Sequence, residues 1–373
     1  MAMDWPALRM LFSYDFWRMA VLWTSAVVYS YFQLLLAARF PTRGRFPTRS
    51  YPRRRFFPGP DSVIKRPVCV VTGATSGLGA AAARALAAQG YHVVLAGRCP
   101  QLLLKTIGEI KQQDRDASLS AFQVDLSSIR SIKEFESRIK QWLLDSNLHP
   151  SIQLLINNAG ILATTCRVTS DGYDQVMQTN YIGAFVLTNL LLPLLKISPV
   201  PAKIVNVTSF THRCVSDTAM NEKTLCREIF GCLPTSGNYP SSHTYELSKF
   251  CLLLFSYELH RQLHVVDPSP NISVIAADPG VVETNIMREI PRFLSQLAFK
   301  ALRIMRLLQS PEIGVGSIID AALAPPDASG EYFFGGKGRT IRSSKLSYNI
   351  QLAKTLWSRS MILFEAVQSS FHE

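Results

Sequence analysis

The sequence predicts an α/β fold, a doubly wound parallel sheet covered by helices on both faces, with an apolar helix set in front of it. Two observations carry this expectation. From residue 67 onward, short and nearly continuous apolar runs alternate with longer segments of helical pattern, the texture of parallel strands buried on both sides. The first of those runs is followed by "TGATSGLG", a glycine-rich turn that opens a helix. With 373 residues, 47% of them hydrophobic, the chain can bury a large core, and disorder throughout is excluded.

Residues 1–18 form an N-terminal flank. Residues 19–38, "MAVLWTSAVVYSYFQLLLAA", are uncharged and bracketed by Arg18 and Arg39. As a helix this run reaches about 30 Å, the thickness of a bilayer core, and is expected to be an uncleaved transmembrane anchor. A cleaved signal peptide fits less well, because the run is long and no small-residue cleavage site follows. A transit peptide is disfavoured by Asp4 and Asp15.

Residues 39–66 form a linker with nine basic residues against Asp61 alone, eight of the net +12. Charge held on a linker beside an anchor, without interleaved aromatics on a folded face, argues against nucleic acid as a partner. It also places the C-terminal bulk in the cytosol by the positive-inside rule. The expected location is therefore a single-pass protein of the endoplasmic reticulum, with the plastid envelope as the alternative. Prolines 41, 47, 52, 58 and 60 stiffen the linker, whose arginines either lie against anionic lipid or serve as a topology signal only.

The seven cysteines include no C-x-x-C pair and no Cys/His cluster of metal-binding spacing, so a reduced compartment and no metal are expected. The sequons at Asn206 and Asn271 fall in segments that read as buried strands and are taken as chance matches.

In the body, residues 67–373, strands are expected at 67–72, 92–97, 119–124, 152–156, 203–208 and 271–277. Helices are expected near 78–90, 100–114, 129–145, 172–196 and 243–263. Ligands of such sheets bind beyond the carboxyl ends of the strands. Gly73, Gly77 and Gly79 follow the first strand, where bare backbone and a helix start suit a pyrophosphate. The second strand ends in Arg98, where NAD-specific sites carry an acid. An arginine there can pair with a 2′-phosphate, so NADP(H) is preferred over NAD(H). Asp125, Asn157 to Gly160, Ser209 and "DPGVVET" end the later strands. Tyr245 and Lys249 lie four apart on one helix face, close enough for the ammonium to favour the phenolate.

These motifs, in this order, resemble the short-chain dehydrogenase/reductase family over about residues 67–335. They are T-G-x-x-x-G-x-G at Thr72 to Gly79, Asp125-Leu126, N-N-A-G at Asn157 to Gly160, Asn180, Ser209, Y-x-x-x-K at Tyr245 and Lys249, and P-G with Thr at Pro279, Gly280 and Thr284. The resemblance implies a Rossmann-type sheet of about seven strands in the order 3-2-1-4-5-6-7. It implies a catalytic set of Asn180, Ser209, Tyr245 and Lys249, in which Tyr245 moves the proton and Lys249 lowers its pKa, Ser209 bonds the substrate oxygen and Asn180 holds a water. The cofactor set it implies is Thr72, Gly73, Thr75, Ser76, Gly77, Leu78, Gly79, Arg98, Asp125, Leu126, Asn157, Ala159, Gly160, Tyr245, Lys249, Pro279, Gly280, Val282 and Thr284. One departure stands out: 36 positions separate Ser209 from Tyr245, where many members have about a dozen.

That longer rim and the anchor resemble the retinol-dehydrogenase-like, membrane-anchored branch. The implied substrate is a lipophilic alcohol or carbonyl compound of the retinoid, sterol or polyprenol type, and homo-oligomerisation is left open. Residues 291–308, a basic amphipathic stretch, are expected to form a substrate lid, with membrane contact as a second use. The alternative to an enzyme is a scaffold or sensor that binds NADPH without turnover.

Overall fold

The computed structural model describes residues 14–39, 49–55, 63–231, 239–266 and 271–369. It opens with helix α1 (Tyr14–Arg39). Strands and helices then alternate as β1 (Val68–Thr72), α2 (Gly77–Ala87), β2 (His92–Gly97), α3 (Pro100–Gln113), β3 (Leu119–Gln123), α4 (Ile129–Asp145) and β4 (Leu154–Asn157). The second half holds α5 (Gly183–Lys196), β5 (Ala202–Val207), α6 (Glu222–Phe230), α7 (Ser241–Val266), β6 (Ile272–Asp278), β7 (Val281–Val282), α8 (Arg292–Ile304), β8 (Leu308–Gln309), α9 (Gly316–Ala322), β9 (Tyr332–Phe334) and α10 (Ile350–Ser369).

Seven strands form one parallel sheet in the order β3-β2-β1-β4-β5-β6-β9, the order expected, with β9 in the seventh place. Beside it, β7 and β8 pair as a two-stranded ribbon that brackets α8. β9 is three residues long, too short to carry a periodic signal of its own.

The period of two along each strand sorts its side chains between two apolar layers. In β1, Val68 and Val70 join Ile132, Phe135, Phe185 and Leu254 from the helices of one face. Cys69 and Val71 join Ala82, Leu86, Leu103 and Ile318 on the other. Phe185 is fully buried, and truncating such a side chain to Ala costs about 3–5 kcal/mol. A π-helical turn, Gln178–Ile182, precedes α5 and carries Asn180.

The linker ahead of β1 contributes a strap. Ser50 bridges Arg339, Tyr51 is buried with its ring 5.8 Å from that of Phe333, and Arg53 meets the buried Asp320 at 2.6 Å. Arg49 lies 3.6 Å from Glu331. Two of the arginines considered for lipid contact are thus paired with acids of the body.

The six cysteines among the described residues are free, and Cys232 lies outside them. Asn206 is fully buried in β5, as its apolar neighbours suggested. Asn271 is exposed, one residue before β6, and donates to the carbonyl of Ser198.

Helix α1 lies along the body. Burial recurs at Met19, Ala26, Val27, Ser30, Leu34 and Ala37, one face of a helix. It is long and apolar enough to cross a membrane by length and composition.

Candidate active site

The turn after β1 is fixed by side chains from the next strand over. The Thr72 hydroxyl donates to the carbonyl of Ile156 and accepts from the backbone N–H groups of Asn158 and Ala159, both at 3.0 Å. The Asn158 amide donates to the Thr72 carbonyl at 2.8 Å. Glycine is required at position 73, where φ is +66° and a Cβ would stand 2.9 Å from the Ala159 Cα. Ser76 precedes α2 but its side chain makes no capping bond, so the positive end of α2 opens toward the cavity. Bare backbone, a helix start and the hydroxyls of Thr75 and Ser76 form a donor set that suits the pyrophosphate of a dinucleotide. Arg98, at the end of β2, is exposed on the same rim, with no ion-pair partner among the described residues. The carboxylate of Asp125 accepts from the N–H and hydroxyl of Ser127 and also faces the cavity.

Asn157 is the last residue of β4 and Asn158 the first beyond it, in a turn where the Asn158 N–H bonds back to the Ile156 carbonyl, and the two side chains find different partners. Asn157 does not line the cavity. Its amide donates to Thr188 and Asn206, both at 2.8 Å, in the core beside α5 and β5. Asn158 is the residue that faces the loop, and the doubled asparagine in "NNAG" concealed which one does so.

The long insertion between Ser209 and Tyr245 leaves the two together. After β5 the chain makes a 3-10 turn at Phe210–Cys214, sends out α6, whose Leu225 and Ile229 join the main core, and returns into α7. Tyr239, just before α7, donates to Asp174 at 2.9 Å. The His212 ring spans from the Ser209 carbonyl, 2.6 Å from Nδ1, to the Ser344 N–H, which donates to Nε2. Since Nε2 accepts, the proton sits on Nδ1, and the turn carrying Ser209 is held from behind.

The Tyr245 phenol lies against Ser209, and Lys249 Nζ is 5.9 Å from the centre of its ring, donating to the Val207 carbonyl at 2.9 Å. Burial holds the phenol well above its usual range, with the nearby Asp278 adding to the effect and the bond with Ser209 opposing it. Burial also lowers Lys249 to about 8, against the pull of Asp278. The protein groups therefore favour a neutral phenol, opposite to the depression expected from the Tyr–Lys spacing, because desolvation of the anion outweighs an ammonium held at this distance. Asp278, at the end of β6, is itself raised to about 6 by burial while accepting from Tyr332 and the Gly280 N–H.

Asn180, the other predicted residue that does not line the cavity, is fully buried. It exchanges bonds with the backbone of Ile161 and donates to Ser248 at 2.9 Å. A Cβ on Gly160 would stand 3.3 Å from Lys249 Nζ and 3.4 Å from Asn180 Oδ1, so the three meet at one point. Each remaining predicted residue, from the glycine loop through Leu126, Ala159 and Gly160 to Pro279, Gly280, Val282 and Thr284, lines a single cavity of about 560 Å³.

The opposite wall joins α8, the segment expected to form a substrate lid, to α1, which the sequence did not place here. It is apolar, with Leu294, Leu297, Ala301 and Met305 from α8, Ile161 and Leu162 after β4, and Phe16, Met19, Trp23 and Val27 from α1. Trp23 stands 5.6 Å from the Tyr245 ring, centre to centre. The residue after the tyrosine, Glu246, has a fully buried side chain that receives Arg18 Nη2 and Trp23 Nε1, each at 2.8 Å. The partners are more than 220 residues apart in the chain, beyond the reach of any spacing argument.

A family model described as short chain dehydrogenase matches residues 67–216. Polyprenol dehydrogenase of Homo sapiens is 33% identical over 310 residues, 82% of this chain and 86% of that protein. Short-chain dehydrogenase TIC 32 A, chloroplastic, of Brassica napus is 31% identical, over 81% of this chain and 90% of its own. The crystal structure of an uncharacterized protein from Mycobacterium paratuberculosis superposes with a TM-score of 0.59 at 26% identity, covering 81% of this chain and 94% of that one.

Proposed function

Because the chain belongs to the short-chain dehydrogenase/reductase family, we propose that it reduces a lipophilic aldehyde or ketone, of the retinoid, sterol or polyprenol type, to its alcohol at the expense of NADPH. The observation that carries this reading is the meeting of Tyr245, Ser209 and Lys249 in a cavity whose facing wall is apolar.

In this reading the start of α2 and the glycine loop hold the pyrophosphate, Arg98 the 2′-phosphate, and Asp125 the adenine end. A bound nicotinamide dinucleotide supplies the hydride. Ser209 orients the substrate oxygen by a hydrogen bond. Tyr245, kept neutral by its surroundings, gives that oxygen a proton, which suits reduction better than oxidation. Lys249, protonated below about pH 8, stabilises the phenolate left behind, and Asn180 holds the Ile161 backbone and Ser248 around it. The apolar wall takes a substrate of matching character, as the name of the human relative suggests. Docked along the body, α1 does not at the same time cross a bilayer; its exposed apolar side chains, Val21, Val28, Phe32 and Leu35, support residence at a membrane surface with the body in the cytosol. The endoplasmic reticulum is favoured, and the chloroplastic relative keeps the plastid envelope as the alternative.

The test uses the full chain in detergent, with NADPH or NADH and a panel of long-chain aldehydes, retinal and polyprenal. NADPH-dependent turnover that falls by about 10²–10⁴-fold in Tyr245→Phe, with NADPH affinity retained, is the expected result. Tight NADPH binding without turnover of any member would replace the enzyme with a cofactor-sensing scaffold.

A further inference from the structure

Helix α1 meets the body through specific polar contacts. The Arg18 guanidinium takes both oxygens of Glu246, at 2.8 and 3.3 Å, and reaches Ser242. The Trp23 indole donates to the same carboxylate. Farther along, Ser30 accepts from Arg213, Gln33 accepts from the Arg342 N–H, and Tyr31 accepts from Gln309. A carboxylate buried to 0% is tolerable only when paired and hydrogen-bonded, and among the described residues every hydrogen bond that the Glu246 carboxylate receives comes from α1. A helix that served only to tether the body would need none of these bonds.

Glu246 adjoins Tyr245 in the chain, and the indole that Glu246 holds is the ring that packs on the phenol. Trp23 also faces the cavity. From this geometry we infer that α1 is a component of the active site: Trp23 is a specificity-determining residue that contacts the apolar part of the substrate, and Arg18 with Glu246 is the latch that positions it. The inference rests on the reductase reading for its substrate. The docking itself does not.

The test again uses the full chain. Trp23→Ala is expected to change the ratio of kcat/KM for a long-chain against a short-chain aldehyde by at least about tenfold, since removing one large apolar contact changes discrimination by about 1–3 kcal/mol. NADPH affinity should hold, and Trp23→Phe should restore most of the ratio, which a general loss of stability would not allow. Hydrogen exchange over residues 14–39 should be slow in the unaltered chain and faster in Glu246→Gln. An unchanged ratio in Trp23→Ala overturns the specificity role. Unprotected amides at 14–39 in the unaltered chain, or protection unchanged by Glu246→Gln, overturn the latch. Should the unaltered chain turn over no carbonyl compound, the reductase reading falls, while the exchange data still decide the docking.

Discussion

On the strand side of the cavity the wall is built from turns rich in glycine and small residues: the turn from Thr72 to Gly79, the rim at Ala159 and Gly160, and the bend at Pro279 and Gly280. On the far side it is mostly side chain, supplied by α1 and α8 from opposite ends of the sequence. A wall of glycine turns binds groups common to every turnover and tolerates little change, because a glycine at a close approach has no substitute. A side-chain wall can be exchanged residue by residue, so in the proposed reading it is where substrate choice resides. On that reading this is a division of labour along one cavity, with the chemistry at the boundary, at Ser209 and Tyr245.

Three measurements bear on that division. The largest effect is expected on the strand side from Arg98→Ala. Loss of a charge-assisted bond to a 2′-phosphate should weaken NADPH by about 10–100-fold and leave NADH nearly unchanged, as read by titration of each cofactor. Equal weakening of both would remove the basis for NADP(H) preference.

At the boundary, the pH profile of kcat/KM for reduction should be level below about pH 8 and fall tenfold per unit above it, because Lys249 loses its proton through about 8 while Tyr245 stays neutral. Asp278, ionised above about 6, lies near both groups and opposes loss of the lysine proton. A profile that stays flat to pH 10 would mean that the ammonium is not needed.

The smallest effect concerns the asparagine pair. Asn157→Ala should cost about 1–3 kcal/mol of stability, by leaving Thr188 and Asn206 short of a partner, with cofactor affinity preserved. Asn158→Ala should weaken cofactor binding instead, through the Thr72 turn it holds. Thermal melts with and without NADPH separate the two, and identical behaviour would erase the distinction between core-facing and cavity-facing neighbours.

The strand side could be read from sequence because each of its parts is a local event. A strand must end, the chain must turn, and the turn must be glycine where φ is positive or another backbone comes close. The expected helix over 129–145 coincides with α4, whose N-cap Ser128 and apolar spacing lie within one segment. The same locality explains the errors. The run "NNAG" does not say where the strand stops, so the expectation fell on Asn157, which ends β4 in the core, and not on Asn158, which opens the turn at the cavity. The four-residue offset of Tyr245 and Lys249 indicates nearness but not dielectric, so burial reversed the expected shift of the phenol. On the far wall the amphipathic spacing of 291–308 did indicate α8 as a cover, whereas the share of α1 was illegible for a different reason. The apolar run of α1 satisfies the composition of a membrane span whichever way it packs, and nothing in it announces that Arg18 and Trp23 meet a glutamate more than 220 residues away.

The latch has a consequence for maturation. If a peptidase trimmed the chain behind Arg39, as happens to many leaders, and α1 then left the body, Glu246 would be exposed to water and the Trp23 indole would come off the Tyr245 phenol. Membrane address and substrate fit would then be lost at a single cut, so the activity of a preparation would report how much of its first forty residues has survived.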